Sequence, residues 1–547
     1  MKILHRFYLF LFLLSTFTPI LYLYSIHLIF QIDPLKLHLW QHVEALESIV
    51  NKTAQPIFRL STIVAFVFPF LAFLPKKGVK GEHGSASFAT ASQIKKMKLF
   101  EKSGVVLGKF GNKLLRYNEK LAVLVLAPPG EGKTAGIAIP NLLTHEGSAF
   151  VLDVKGELYN KTNEYRKKEF GSKIYKFNPA SLETMKFNPF DKSIFQYLQW
   201  HEKEEIIDQI GYLIYQQKEH HDHWMEEGRS MFVMFVLYLT FKNGFTSIPD
   251  VRELIISDFS KLYGEEYQFE DETEAMLYFI REDMLKDEAL PLRIREEAVS
   301  LLRKVDKELS GVISSCKSPL NIFATTTVRE CFRANDLIIE DFRQESSTLY
   351  ITIAEKDLER LATVNRIFID FNLRKLLSKE PKKSDLDILG MFDEFPRFGK
   401  IPYLVDLPEL GRSYKIISFL IAQDYGQIEL LYGKAYISKI NTSTAYKVIF
   451  PQTNAETAEM TSKYIGDFTR ETRSESRSAG ANGHTNKSLS TQLSGQALIS
   501  KQDILNMNDG QIYILVKNYY KHPIKAKPYL YFEDRKLKKL VPHDEDK

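Results

Sequence analysis

Residues 121–134 read L-A-V-L-V-L-A-P-P-G-E-G-K-T. The apolar run at the start is typical of a strand buried on both faces of a parallel sheet. The glycines, the lysine and the threonine follow it at once, ahead of a plausible helix from Ala135, which is the pattern and the context of a phosphate-binding loop. The stretch therefore predicts strand, glycine loop and helix in that order, and with them an α/β fold.

The residue types in this loop suit contact with a nucleotide. Gly130 and Gly132 let the backbone curl so that its N–H groups point at phosphate oxygens, and the helix adds its positive N-terminal end. We expect Lys133 to reach the β- and γ-phosphates and Thr134 to hold Mg²⁺ through its hydroxyl. Ala127 replaces the first glycine of the motif, and its small side chain should be tolerated. The predicted nucleotide-binding residues are Pro129, Gly130, Glu131, Gly132, Lys133, Thr134 and Ala135.

A second chemical signal lies far along the chain, where residues 387–394 read D-I-L-G-M-F-D-E. This is the pattern of a short apolar strand that ends in two carboxylates. Beside the loop, Asp393 is expected to hold Mg²⁺, and Glu394 to polarise the attacking water and accept its proton. The alternative is an acidic surface turn, which the presence of the loop disfavours.

A third apolar run, residues 416–422, ends at Gln423. Polar residues at the carboxyl ends of strands face the ligand crevice of a doubly wound sheet, so Gln423 is a candidate sensor of the γ-phosphate. Arg412 precedes this run, and it is a candidate finger that reaches the nucleotide of a neighbouring subunit. The alternative for Arg412 is an ordinary surface charge.

The N-terminal region has the composition of a membrane anchor. Residues 7–32 carry no charged side chain apart from His27, and that length is enough to cross a bilayer. Residues 60–74 form a shorter apolar stretch, for which a buried helix of a soluble domain is the alternative. Basic residues flank the two stretches on the outside, at Lys2, Arg6, Lys76, Lys77 and Lys80. The positive-inside rule then predicts a two-helix transmembrane hairpin over 1–80 with both of its ends in the cytoplasm.

Composition sets broad limits on the rest of the chain. Its 547 residues are 44% hydrophobic and 26% charged, which fits two to four folded domains and excludes a wholly disordered protein. The net charge of +4 is too small to indicate nucleic-acid binding by itself. The two cysteines, Cys316 and Cys331, indicate a reducing compartment rather than a disulfide framework.

The distance between the loop and the acidic pair predicts an insertion in the nucleotide-binding domain. Residues 81–195 are expected to form its first part and 331–547 its second. Between them, 196–330 show apolar residues at helical spacing and few strand-like runs, which indicates an inserted all-α domain. Within the second part, 471–494 are polar and glycine-bearing, and a flexible loop is expected there.

Five further motifs follow one another along the chain in a characteristic order. They are H-G-S-A-S-F-A at 83–89, D-V-K-G-E-L-Y at 153–159, F-N-P at 177–179, D-E-F-P-R-F-G-K-I-P-Y-L at 393–404 and A-Q-D-Y-G-Q-I at 422–428. In this succession the chain resembles the type IV secretion coupling proteins of the TraG/TraD kind. The resemblance implies a RecA-like P-loop NTPase with a central, mostly parallel sheet, active as a homohexamer with ATP and Mg²⁺. It also implies that Arg412 and Gln423 match the finger and sensor positions.

The same resemblance implies a function. It is that of a multi-pass protein of the bacterial inner membrane, largely cytoplasmic, that hydrolyses ATP to pump DNA without sequence specificity. A relaxase or an effector protein would be its other substrate, and type IV secretion channel subunits its partners. Two alternatives stay open, a recruiting scaffold that does not hydrolyse nucleotide and a coupling protein for effectors only. A chromosome pump of the FtsK kind is disfavoured by the motifs.

Overall fold

The structure is a computed structural model that describes residues 84–216, 222–263, 267–479 and 485–542, with isolated positions between 16 and 41. The chain divides into two units, Met1–Gly81 and Glu82–Lys547. In the first unit a short 3₁₀ turn covers Pro34–Lys36, and Asp33 caps it by accepting a hydrogen bond from the Leu35 N–H. The transmembrane hairpin predicted over 1–80 lies almost entirely outside the described residues.

Within these described ranges, no single helix is both long and apolar enough to cross a bilayer. One pair of helices, His223–Asn243 and Ile248–Ile255, passes by length and composition when the two are taken together across a bend of 110°.

The second unit is built on a nine-stranded sheet of order β13-β12-β9-β3-β8-β7-β4-β6-β5. Two further pairs of strands, β1 with β2 and β10 with β11, form separate antiparallel hairpins. The strands are β1 Val105–Phe110, β2 Lys113–Tyr117, β3 Val123–Leu126, β4 Ser148–Asp153, β5 Lys173–Phe177, β6 Ser347–Thr352, β7 Ile388–Phe392, β8 Ile416–Ala422, β9 Tyr446–Ile449, β10 Asp467–Ala479, β11 Thr485–Ala497, β12 Ile512–Val516 and β13 Ile524–Ala526.

The large sheet is parallel from β9 to β5, and only the pairings of β12 with β9 and with β13, at one edge, are antiparallel. The prediction of a mostly parallel sheet is therefore confirmed. Strand β3 lies between β8 and β9, and all of its residues are buried. Leu124 and Leu126 pack into one core while Val123 and Val125 pack into the other. Both faces are covered, which explains the uninterrupted apolar run in the sequence.

Helices cover the sheet and fill the long connection between β5 and β6. They are α1 Ala91–Lys96, α2 Ile139–Thr144, α3 Glu157–Glu169, α4 Lys192–Phe195, α5 Trp200–Ile214, α6 His223–Asn243, α7 Ile248–Ile255, α8 Glu272–Phe279, α9 Leu292–Leu302, α10 Asp306–Leu320, α11 Thr326–Cys331, α12 Ala362–Leu377, α13 Pro402–Leu410, α14 Tyr425–Tyr432, α15 Lys434–Ser443, α16 Ala455–Ile465, α17 Lys501–Leu505 and α18 Arg535–Lys538.

Every described element between β5 and β6 is helical. The long helices α6 and α10 approach closely because glycines remove the side chains between them. A Cβ on Gly228 would lie 2.9 Å from the backbone N of Cys316, and one on Gly311 would lie 2.5 Å from the ring of Trp224. Residues of these helices share one buried cluster with the sheet. The domain boundaries at 196 and 330 therefore stay predictions.

The region predicted as a loop, 471–494, is different in the structure. Strands β10 and β11 pair in register from Asp467↔Ala497 to Ala479↔Thr485, so a hairpin takes the place of the expected loop. Its residues are polar at both the odd and the even positions, so the sequence lacks the alternation of apolar and polar residues by which a half-buried strand is recognised. The mobility of this segment stays a prediction.

A buried arginine ties α3 to the start of β4. The Arg166 guanidinium donates to the carbonyls of Leu142, His145 and Gly147 at 2.6–2.8 Å, and its Nε donates to Thr348 Oγ1 at 2.7 Å. Burial lowers the pKa of Arg166 to about 10. Two of these carbonyls belong to the end of α2, where a cation is favourable for the helix dipole.

Candidate nucleotide-binding site

The glycine loop leaves the sheet at the end of β3. The Ala127 N–H still donates to the Ala422 carbonyl of β8 at 3.0 Å, so the loop begins at the edge of the sheet. Gly130 and Gly132 have φ values of +86° and +80°. A Cβ on Gly130 would meet nothing within 4 Å, so this position needs glycine for its backbone conformation rather than for space. A π-helical turn over Thr134–Ala138 then leads into α2.

The structure brings the predicted acidic pair to this loop. Lys133 Nζ lies 2.7 Å from Glu394 Oε1 and 3.9 Å from Asp393 Oδ1. Asp393 and Glu394 directly follow β7, which is separated from β3 by β8 alone. Glu394 has φ 48° and ψ 42°, a left-handed conformation that turns the chain at the strand end. Because parallel strands bring their carboxyl ends to one edge, residues 261 apart meet across a single cleft.

The two carboxylates are in different electrostatic states. Burial raises the pKa of Asp393 to about 7, although the charge of Lys133 opposes the shift. Burial also raises the pKa of Glu394, but the hydrogen bond and the charge of Lys133 outweigh it, and the net shift is downward. Glu394 is therefore an ionised carboxylate at neutral pH, as a general base must be.

Asp393 has an atom that fits a metal. Its Oδ1 is buried and has no hydrogen-bond partner among the described residues, and such an orphaned oxygen is costly unless something binds it. A hard carboxylate oxygen near the hydroxyl-bearing Thr134 suits Mg²⁺, which prefers a few protein oxygens and keeps its remaining waters. The residues present therefore fit the expected ion.

A cavity of about 260 Å³ joins these groups, and it has a wall that the sequence reasoning did not assign. Asp153, Lys155 and Glu157 line it together with the glycine loop, Asp393 and Glu394. The Asp153 carboxylate accepts a hydrogen bond from the Tyr159 N–H at 2.8 Å and caps α3. Burial raises its pKa to about 6. The available signal was the D-V-K-G-E run, which ends a buried strand just as the D-E pair does.

Two glutamines flank the exit of β3. Gln423 follows β8, as predicted, and its N–H donates to Gln427 Oε1 at 3.1 Å. Gln452 follows β9 on the other side, and its Nε2 donates to the Leu126 carbonyl at 3.0 Å. Gln452 was not predicted, because no apolar run long enough to mark β9 as a strand stands out around it. Both residues lie at the same sheet edge as the glycine loop.

Comparison with known proteins agrees with this geometry. The model of the family described as type IV secretory system conjugative DNA transfer matches residues 76–545. The chain belongs to this family. It is 26% identical over 471 residues to the protein VirD4 of Rhizobium radiobacter, an alignment that covers 84% of this chain and 65% of that protein. A conjugal transfer protein TraG of Escherichia coli is 26% identical over 391 residues, which cover 67% of this chain and 59% of that protein.

Among solved structures, this member of the conjugative DNA transfer family resembles the coupling protein TrwB. A truncated TrwB in complex with sulphate has a TM-score of 0.59 and 16% identity, covering 83% of this chain and 96% of that one. TrwB in complex with a non-hydrolysable ATP analogue has the same TM-score, 0.59, and the same identity, 16%. At this identity the likeness shows that the fold is shared, and the predicted RecA-like class is confirmed by it.

Arg412 lies away from the site in this family member. It precedes β8, so it lies at the amino ends of the parallel strands, whereas the glycine loop lies at their carboxyl ends. A seven-residue strand separates the two by roughly 20 Å. There it is exposed and lines a wider cavity of about 690 Å³ with Lys98, Glu409 and Lys517. Within one chain it does not meet Lys133 or Asp393, so its finger role stays a prediction that requires a second subunit.

Proposed function

We propose that this chain is an ATP-hydrolysing coupling protein that moves DNA or nucleoprotein to a type IV secretion channel. The observation that carries the proposal is the meeting of Lys133 with Asp393 and Glu394 around one cleft. A protein that only recruits substrates has no need of an ionised carboxylate beside its phosphate-binding lysine. VirD4 and TraG relatives, and the description of TrwB as a bacterial conjugative coupling protein, support the choice of substrate class.

The cleft supports a simple division of labour. Lys133 would leave Glu394 to bind the incoming phosphates, and the freed carboxylate would accept a proton from the attacking water. Thr134 and Asp393 would hold Mg²⁺, which neutralises charge on the phosphates when it is bound. Gln423, at the next strand end, would contact the γ-phosphate. TrwB is described in complex with ADP and Mg²⁺, which supports the same ligands for this chain.

The remaining expectations extend from the family. The chain would work as a homohexamer anchored in the bacterial inner membrane by the segment 1–80, with its bulk in the cytoplasm. Arg412 of one subunit would complete the nucleotide site of the next. DNA would be gripped through its phosphates without sequence specificity, and a relaxase or an effector protein would accompany or replace it as cargo.

Nucleotide hydrolysis by the purified full chain tests this proposal. We expect DNA to stimulate ATP hydrolysis, and the Lys133→Ala variant to lose hydrolysis and substrate transfer while remaining folded. Lys434→Ala, which removes an exposed lysine at the start of α15, is the matched control and should be unchanged. Transfer at the wild-type level by Lys133→Ala would instead favour the scaffold that does not hydrolyse nucleotide.

A further inference from the structure

The C-terminal segment crosses the helical end of the glycine loop. The Tyr531 N–H donates to the Ala135 carbonyl at 3.1 Å. A Cβ on Gly136 would lie 2.7 Å from Pro528 Cβ, and one on Gly132 would lie 3.5 Å from Leu530 Cδ2. The segment 528–531 therefore packs directly against the residues around Lys133 and Thr134. A side chain at Gly136 would collide with Pro528.

This position corresponds to one end of a bound nucleotide. In a phosphate-binding loop the lysine reaches the β- and γ-phosphates, while the backbone N–H groups cradle the α- and β-phosphates. Here the γ-phosphate end is marked by Lys133, Asp393 and Glu394, which face one another. The α-phosphate and the nucleoside attached to it must then leave the loop on the side away from Glu394. Ala135 follows the threonine that is expected to hold Mg²⁺, so we place the α-phosphate beside Ala135 and beside the segment that bonds to it.

Two aromatic rings stand at this position. The Tyr531 hydroxyl accepts a hydrogen bond from Lys161 Nζ at 3.0 Å, and the same ammonium group lies 5.4 Å from the Tyr531 ring centroid. Phe532 contacts Tyr531 edge to face, with ring centroids 5.5 Å apart and an interplanar angle of 80°. Phe532 is 48% exposed. A single exposed phenylalanine is common on protein surfaces. Phe532 is distinguished by its position next to the segment that contacts the glycine loop, and its exposure leaves the ring free for contact with a ligand.

We infer that Phe532, oriented by Tyr531, is the platform on which the base of the bound nucleotide stacks. The inference rests on the proposed function and names the subsite that the phosphate cleft lacks. A flat hydrocarbon ring stacks on the π-face that every base presents, without reading its hydrogen-bonding edge. The site should therefore accept a purine nucleoside triphosphate with little preference between adenine and guanine.

Titration calorimetry on the full chain, with ATP, GTP and inorganic tripolyphosphate as ligands, tests this subsite. Phe532→Ala should weaken ATP binding about tenfold, because stacking on one half-exposed ring is lost. It should leave tripolyphosphate binding unchanged, and Phe532→Trp should restore ATP affinity. In the wild type, ATP and GTP should bind within about threefold of each other, as stacking predicts. Phe245→Ala removes a phenylalanine that is 40% exposed in the helical region, and it is the matched control.

Several results would contradict these expectations, and they can be told apart. Equal ATP affinity for Phe532→Ala and wild type overturns the platform, and so does an equal loss of ATP and tripolyphosphate binding. A changed sedimentation coefficient with unchanged ATP affinity would make Phe532 a contact between subunits and also overturn it. If the wild type binds neither ATP nor tripolyphosphate, the proposed function itself fails.

Discussion

Lys133 Nζ and Glu394 Oε1 lie 2.7 Å apart, although 261 residues separate them in the chain. Within the cleft the two opposite charges neutralise each other. The lysine that we propose to bind phosphate is therefore paired with the carboxylate that we propose to accept a proton. Binding of a triphosphate should exchange this ion pair for a lysine–phosphate contact and release the carboxylate.

Glu394→Gln separates these two roles. Removing the base should lower kcat for ATP hydrolysis about 100-fold or more, as for other general bases. ATP affinity should be unchanged or tighter, because Lys133 no longer has a carboxylate to leave. Steady-state hydrolysis and equilibrium ATP binding on the same preparation check this, with the exposed Glu359→Gln as the control. A large loss of ATP affinity with little change in kcat would contradict the assignment.

Asp393→Asn should affect stability and activity in opposite directions. The raised pKa of Asp393, about 7, means that its ionisation is unfavourable in the folded state. When the pKa of a carboxyl group is higher in the folded state than in the unfolded state, the folded protein loses stability as pH rises from the unfolded to the folded pKa. Replacing Asp393 with asparagine should therefore stabilise the protein without nucleotide most above pH 7. We expect a gain of at least about 1 kcal/mol, because each pKa unit by which burial opposes ionisation is worth about 1.4 kcal/mol.

Mg²⁺-dependent hydrolysis should meanwhile fall by about 100-fold or more, as expected when a metal site is lost. Thermal unfolding at pH 8 and at pH 6, together with the hydrolysis rate, provides the measurement. A variant that is strongly destabilised at pH 8 would show that Asp393 is a structural partner of Lys133 rather than a metal ligand.

The Arg412→Ala substitution should leave ATP binding unchanged and should impair only the hydrolysis that depends on a neighbouring subunit. Because Arg412 lies at the sheet edge opposite the glycine loop, its removal should leave ATP affinity unchanged and lower hydrolysis by about 1000-fold, as for an arginine finger in trans. Mixing Arg412→Ala with Lys133→Ala should restore part of the activity, since mixed assemblies contain intact finger–loop pairs. Lys98→Ala, at the same cavity, is the control. Mixtures that stay inactive would argue for a surface charge at Arg412.

His145 should make the fold sensitive to acid. Burial, with repulsion from Arg166, lowers its pKa from 6.5 to about 4. The unfolded chain takes up the proton first, so the folded state loses stability as pH falls from about 6.5 to about 4, by up to about 3 kcal/mol. His145→Gln should flatten this part of the stability curve. Denaturant unfolding of both proteins between pH 7 and pH 4 would reveal equal slopes if the idea is wrong.

Several features could be predicted from the local sequence, because each depends on a contiguous run of residues. The glycine loop needs φ values that glycine alone adopts readily, and β3 needs an unbroken apolar run because both of its faces are covered. Gln423 and the D-E pair follow similar runs. The hairpin 467–497 was missed for the converse reason, because a ribbon with polar residues on both faces has no apolar period to detect.

The sequence by itself determined the chemistry available to this protein: a lysine and a threonine after a glycine loop, and two adjacent carboxylates at a strand end. Only the tertiary structure decided which of these groups meet and which do not. Strand order brings the ends of β3, β7, β8 and β4 to one edge, so Asp153 joins the cleft, and it leaves Arg412 at the other edge. Order across a sheet depends on how distant strands pair and pack, and no contiguous stretch of residues encodes that pairing.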